Sequence, residues 1–475
     1  MPVLRWTSVN RWLHAVVLLT AAWFGVGYQG EDEFQQVLLV AEHLRGHVDV
    51  ASLPLDIDAG WRSMLLPLAA CGVFESAGIL GIRDPFALTF LLRLLTAAFA
   101  LATMHRLSRA VQEAAPRTRT VLDGLGWFLW FMPVLLVRFN GETWSGLLFA
   151  LGLALLLEGQ PRRTWAIGAL WATAIACRPA AAILPLGAML WVALTRHEPL
   201  ARALRIVAGG AAALMVLVVL DSLAYGRPIV TLWNYGVAAL TGEEAWRFTA
   251  LPWYQYPLFV LKHATLPIGA LLIAALIALL AFDRKHVLVW LLLPFVVLHS
   301  ALPVKELRFL FPLAPLMPWL LVAGWNAVRP HWSHALRHAR WLLVPIGAAN
   351  ALALVVALLT PAGNGRIALA RTIARNSDGH AAQVLQVGDW RQWIPAFYLP
   401  PGSTENGLVH EAVARAPADA WIIAHASAHV EREARWTAVA CATPPWTHRW
   451  LRLYGLEDDY DPLVLFRAHD AATDR

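Results

Sequence analysis

The chain alternates between long apolar stretches and short polar segments rich in arginine. A helix rises about 1.5 Å per residue and must cover about 30 Å of hydrocarbon, so apolar runs approaching about 20 residues predict transmembrane helices. About eleven candidates fit, near 12–28, 85–105, 120–137, 142–157, 164–177, 180–195, 205–222, 264–282, 286–302, 308–327 and 341–360. Several are short for a full crossing. Arg178-Pro179 interrupts 164–195, which reads either as one broken helix or as two spans.

Basic residues choose between these readings. Arg106, Arg109, Arg117 and Arg119 follow the second span, and Arg162 and Arg163 the fourth. Arg196, Arg202 and Arg205 follow the sixth, Arg284 and Lys285 the eighth, and Arg329, Arg337 and Arg340 the tenth. The positive-inside rule puts all these loops in the cytoplasm. Basic loops at both ends of 164–195 then require two spans, with Arg178 at an outer hairpin. The first span follows Arg5 and Arg11 and shows no clear small-x-small cleavage site. That predicts a retained signal anchor and a cytoplasmic amino terminus. By parity, everything after about residue 362 lies outside.

The tail differs in kind. Residues 363–475 mix charge signs, carry turn clusters such as Pro400-Pro-Gly-Ser403, and hold short apolar runs at Ala420–Ala424 and Leu463–Phe466 that read as strands. The expected architecture is an α-helical polytopic membrane protein of about eleven transmembrane helices with a small carboxy-terminal soluble α/β domain. Its expected divisions are a transmembrane domain, 1–362, and an outer-face domain, 363–475. Longer coil is expected only in the outer loops 28–84 and 223–263.

Composition agrees with lipid as the solvent. With 58% hydrophobic and only 15% charged residues, the chain is too apolar for one soluble domain. The net charge of +6 does not indicate nucleic acid, because Lys and Arg lie in short clusters between apolar runs and not along one face. Cys71, Cys177 and Cys441 are far apart without CxxC spacing, so neither a disulfide framework nor a zinc site is indicated. Short inner loops and no recognisable retention signal favour a bacterial cytoplasmic membrane.

Candidate chemistry gathers on the outer side. Gly30-Glu31-Asp32-Glu33-Phe34-Gln35 sets three acids a few residues beyond the first apolar segment. Carboxylates at a membrane boundary point to a site; an acidic surface loop is the plain alternative. The outer segments also carry Asp56, Asp58, Arg62, Arg138, Glu142, Arg178, Glu243, Glu244, Arg247, Lys305, Glu306 and Arg308. A carboxylate can take a proton from an attacking hydroxyl, and basic groups can hold a departing phosphate. An ion-pair network bracing helix ends would use the same residues. Pro312 and Pro315 follow Arg308 closely, a placement tolerated where freed backbone lines a cavity. Trp246, Trp253, Tyr254 and Tyr256 form either an interfacial belt or a platform for a polyprenyl chain or sugar.

These motifs resemble a known family. GEDEFQ (30–35) is similar to the HPDE-x-Q signature of the first outer loop in the C superfamily of glycosyltransferases, and Trp61-Arg62-Ser63 with Pro67 looks like that loop's RS-x-x-x-P element. KELRFLFPLAPL (305–316) resembles the HKE-x-RF-x-x-P-x-x-PL motif of family 22, the mannosyltransferases that extend GPI anchors and lipid-linked N-glycan precursors. Arg138-Phe-Asn140-Gly-Glu142-Thr143 and Pro252-Trp253-Tyr254-x-Tyr256 also resemble family stretches, so the likeness spans roughly residues 5–325 in order. It implies a metal-independent, inverting transfer of mannose from a polyprenyl-phosphate donor to a glycan or glycolipid acceptor, with no cofactor. Asp32 matches the family's proposed base and Glu33 its neighbouring acid, while Arg62, Lys305, Glu306 and Arg308 match donor-side charges. The family's His-Pro before the Asp is Gly30-Glu31 here, and its His before Lys-Glu is Val304. Sugar and acceptor are therefore left open.

Two other functions fit an acidic first loop or a polytopic chain. An oligosaccharide ligase, polymerase or protein O-glycosyltransferase of the same superfamily would share the acids, but the KELRF stretch argues against it. A lipid or sugar transporter would be expected to show internal repeats and midplane charges, which this sequence lacks.

Overall fold

The computed structural model describes residues 2–111, 116–196, 198–242, 250–332, 340–363, 365–388, 394–432, 435–444, 446 and 461–468. Glu243, Glu244, Trp246, Arg247 and Arg337 lie outside the described residues. Every apolar stretch singled out above contains helix. Four helices are long and apolar enough to cross a membrane alone: Pro85–Ala110, Pro179–Arg196, Leu200–Ala224 and Leu307–Val328. Leu266–Phe282 and Val287–Ala301 meet the same test only as a pair, bent by 120°. Others are shorter, with 14 residues in Thr164–Cys177 and 17 in Gly141–Leu157. Helix length among the described residues thus accounts for four or five crossings, fewer than the eleven expected from apolar runs.

The chain forms two compact units. One comprises Met1–Leu19, Glu31–Ser76 and Leu92–Val355; the other comprises Thr20–Gly30, Ala77–Leu91 and Val356–Arg475. The second unit thus joins the chain from Val356 onward with two short upstream segments.

Close helix packing in the first unit depends on glycine. A Cβ on Gly168 would stand 1.8 Å from the Ile206 carbonyl, and one on Gly209 would stand 2.3 Å from the Trp165 carbonyl, so Thr164–Cys177 and Leu200–Ala224 touch backbone to backbone. Small residues serve this purpose where no hydrophobic drive separates helix from lipid. Gly146 likewise lets Gly141–Leu157 approach Pro312, with a Cβ only 2.6 Å from the Pro312 carbonyl.

Loop contacts sort into two sets. Arg106 and Arg163 both pair with Glu158, Arg202 donates to the Leu156 carbonyl, and Trp191 donates to the Lys285 carbonyl. Arg178 instead meets Glu142, in the set that includes Asp32 and Arg308. The chain therefore doubles back at Arg178, whose extended backbone (φ −150°, ψ 101°) ends one helix before Pro179 opens the next.

Two segments expected as coil are largely helical. Residues 28–84 fold into Glu31–Leu44, Leu55–Asp58 and Leu65–Ile79, and residues 223–263 contain Thr231–Thr241 and Gln255–His263. Pro67, Gly72 and Glu75 interrupt the apolar pattern of 65–79, which hid a 15-residue helix.

The second unit holds a five-stranded sheet in the order β2-β1-β3-β5-β4. Its strands are β1 (Gln383–Val387), β2 (Thr404–Leu408), β3 (Trp421–His425), β4 (Trp436–Cys441) and β5 (Leu463–Ala468). β1 pairs in parallel with β2 and β3, whereas β5 runs antiparallel to β3 and β4. Ile422 opposite Phe466 anchors the register, and both join Leu385, Val387 and Trp436 in the core. The strands expected at 420–424 and 463–466 are β3 and β5.

Candidate active site

Glu31, Asp32 and Glu33 form the first turn of Glu31–Leu44, where carboxylates complement the positive end of the helix dipole. Successive residues on a helix point about 100° apart, so the three acids diverge. Glu31 is exposed beside Gln35. Asp32 meets Arg308, with Oδ2 2.7 Å from a guanidinium nitrogen. Glu33 turns inward toward the fully buried Arg138, at 3.7 Å. A π-helical turn, Phe34–Leu38, follows immediately.

Asn140 caps Gly141–Leu157 by accepting from the Thr143 N–H at 2.9 Å, which holds Glu142 in the first turn. Glu142 pairs with Arg178 at 2.7 Å, and both side chains are less than a tenth exposed. Lys305, Glu306 and Arg308 lie at the mouth of a 3-10 helix, Leu307–Leu316, that contains Pro312 and Pro315. Arg308 also pairs with Glu306. The Phe309 ring joins the two halves, with the guanidinium of Arg178 4.9 Å and that of Arg308 5.9 Å from its centroid. Four carboxylates, Asp32, Glu33, Glu142 and Glu306, thus meet three guanidiniums, Arg138, Arg178 and Arg308.

The remaining candidates sit differently. Arg62 is bonded to Asp56 at 2.9 Å, and Gln36 donates to the same carboxylate oxygen. Burial opposes the Arg62 charge, but Asp56, Tyr235 and Asp32 outweigh it and hold the proton above the usual arginine range. Asp32 is thus within electrostatic reach of both Arg62 and Arg308. Lys305 is buried, and its ammonium donates to the carbonyls of Leu251 and Leu302, so here it braces two loops. Trp253 and Tyr254 are exposed and stand edge to face, 5.8 Å apart at 84°. Tyr256 is buried and does not join them, so of the expected platform rings only Trp253 and Tyr254 are exposed among the described residues. Burial pushes the Tyr256 hydroxyl up to about 12, with Arg178 pulling it down and Glu306 pushing it up. It stays protonated near the charged cluster.

Three residues gain their place in the site only through the fold. Asp56 was grouped with the outer charges, but only the fold makes it the partner of Arg62. Asp221, buried near the end of Leu200–Ala224, accepts from Ser63 Oγ, the Met64 N–H and Thr231 Oγ1 at 2.8–2.9 Å, fixing the loop that carries Trp61 and Arg62. A lone Asp late in an apolar span was the available signal. Phe309 lies in the KELRF stretch, where nothing local marks it as the ring between two guanidiniums.

The chain is similar to GPI mannosyltransferase 3 of Yarrowia lipolytica, 27% identical over 303 residues that take in 60% of this chain and 56% of that protein's length. Its fold is similar to that of ArnT from Cupriavidus metallidurans, in the apo state (TM-score 0.57) and bound to undecaprenyl phosphate (0.56). Each of those matches is 14% identical and covers 98% of both chains. The model of the Alg9-like mannosyltransferase family matches residues 12–387, and the chain belongs to that family.

Proposed function

We propose that this enzyme transfers a sugar, mannose, from a polyprenyl-phosphate donor to a lipid-linked or extracytoplasmic glycan, with inversion at the anomeric carbon. The observation that carries the reading is the meeting of Asp32, Glu306 and Arg308 in one ion-paired cluster that continues through Phe309 to Arg178 and Glu142. The acceptor hydroxyl oxygen attacks the anomeric carbon as the bond from that carbon to the phosphate oxygen breaks. Asp32 takes the hydroxyl proton, and Glu33 stands beside it. The bonding pair leaves with the lipid phosphate, whose growing charge Arg308 and Arg62 are disposed to balance. Arg308 would pass from Asp32 to the phosphate, freeing the carboxylate as donor binds. Arg138, Arg178, Glu142 and Glu306 maintain the charged wall, Lys305 braces the loops beside it, and Trp253 and Tyr254 supply the exposed rings against which a sugar or isoprenoid can lie.

Membership of the mannosyltransferase family and likeness to a GPI mannosyltransferase support mannose. ArnT, which shares the fold, binds undecaprenyl phosphate, which supports a fold able to hold a polyprenyl phosphate. The reading further assigns residues 1–362 to the transferase domain and 363–475 to a periplasmic domain, in a bacterial inner membrane with the site on the outer face.

Incubating the purified enzyme with radiolabelled polyprenyl-phosphate mannose and a lipid-linked glycan acceptor tests the proposal. Labelled glycan should form together with free polyprenyl phosphate. Release that occurs equally without acceptor, or transfer of whole oligosaccharide blocks in place of single sugars, would overturn it.

A further inference from the structure

A cavity of about 720 Å³ is built at the other end of the helix that carries Glu142. Glu142 lies in the first turn of Gly141–Leu157 and Glu158 caps its end, which separates them by about 25 Å at helical rise. One wall is a stripe on Pro85–Ala110, where Ala98, Leu101, Ala102, Arg106 and Arg109 recur at three- and four-residue spacing and so share one face. The stripe is apolar over its first turns and basic over its last. From Ala98 to Arg109 it spans about 16 Å. Arg163 faces it from the next loop.

Among the described residues that line the cavity, three arginines face one carboxylate. Glu158 accepts hydrogen bonds from Arg106 Nε and Nη2, at 2.9 and 2.7 Å, and also pairs with Arg163 at 3.1 Å, so one carboxylate serves two guanidiniums. Arg109 is exposed and makes no ion pair among the described residues. An occupant therefore needs negative charge at one end and hydrocarbon at the other. Small side chains at 98 and 102 leave the room, and the volume lies within the usual range for a ligand site.

We propose that this cavity holds the phosphate headgroup of an anionic phospholipid, with its upper acyl chain along the Ala98–Leu101–Ala102 wall. Basic pockets between transmembrane helices bind such headgroups, and the positive-inside rule puts this end in the leaflet where anionic lipids concentrate. A soluble phosphate compound would share the arginines but would have no use for the apolar wall.

Native mass spectrometry of the full-length protein, released from phosphatidylcholine nanodiscs containing phosphatidylglycerol, separates the cases. Wild type should retain one phosphatidylglycerol in preference to phosphatidylcholine, and millimolar inorganic phosphate should not displace it. Each arginine near an anionic lipid is worth about fivefold, so Arg109→Gln with Arg163→Gln should weaken retention by about twenty-five-fold. Leu101→Trp keeps every charge but fills the wall, and should also lose the lipid, which provides an independent test if the double variant does not fold. Equal retention by wild type and Leu101→Trp, or displacement by phosphate alone, would overturn the assignment.

Discussion

Asp32 and Arg308 come from segments 276 positions apart, and the fold sets their charged atoms 2.7 Å from each other. Each side chain is about one-fifth exposed, so the pair is shielded from bulk water yet open to a ligand. Glu306 holds the same guanidinium from another direction. Arg308 therefore keeps a partner when Asp32 loses its charge, and the first prediction depends on that.

Asp32→Asn should fold and express normally, because the amide keeps the shape of the acid and Glu306 still neutralises Arg308. Transfer should fall by about a hundredfold to ten-thousandfold, the usual cost of removing a general base. Turnover of the purified variant checks this, and a rate within about threefold of wild type would move the base to Glu31 or Glu33.

Arg308→Ala should raise KM for the lipid-phosphate donor by about tenfold or more, the equivalent of losing a charge-assisted hydrogen bond of at least about 1.5 kcal/mol. The acceptor KM should change far less. Initial rates with each substrate varied in turn distinguish a phosphate-holding role from simple bracing, for which both constants would shift alike or not at all.

Arg178 and Glu142 are almost completely buried, so losing one partner strands the other charge. Arg178→Ala should destabilise the protein by about 3–5 kcal/mol, whereas Arg178→Met combined with Glu142→Leu should cost much less. Thermal unfolding in nanodiscs measures both. If the double variant is no more stable than the single one, the pair is not the source of the loss.

Topology can be read by thiol labelling after Cys71, Cys177 and Cys441 are replaced. A cysteine at Thr404, which is exposed in β2, should react with an impermeant reagent added to intact cells. One at Arg163 should react only after permeabilisation. Labelling of Arg163 but not Thr404 in intact cells would reverse the orientation and put the charged cluster on the inner side.

Much of this protein was written in its sequence. Apolar runs located the helices because burial in lipid requires hydrocarbon side chains over a fixed length, and this requirement is local. Arg178-Pro179 marked the reversal at 164–195 for the equally local reason that a residue before proline leaves the helical region. The strands near 420–424 and 463–466 were visible as short apolar runs between turn residues. Helix lengths were less legible, since runs interrupted by glycine, proline or a charge, as at 65–79, fold into helices all the same once tertiary packing covers them. The candidate residues were legible as types and motifs, but their partners were not. Nothing local indicates that Arg62 belongs to Asp56, that Lys305 donates to two carbonyls, that Tyr256 turns inward while Trp253 stays exposed, or that Asp221 holds the Ser63 loop. Those assignments depend on helices approaching through Gly146, Gly168 and Gly209, and a contact between distant segments exists only after the chain has packed.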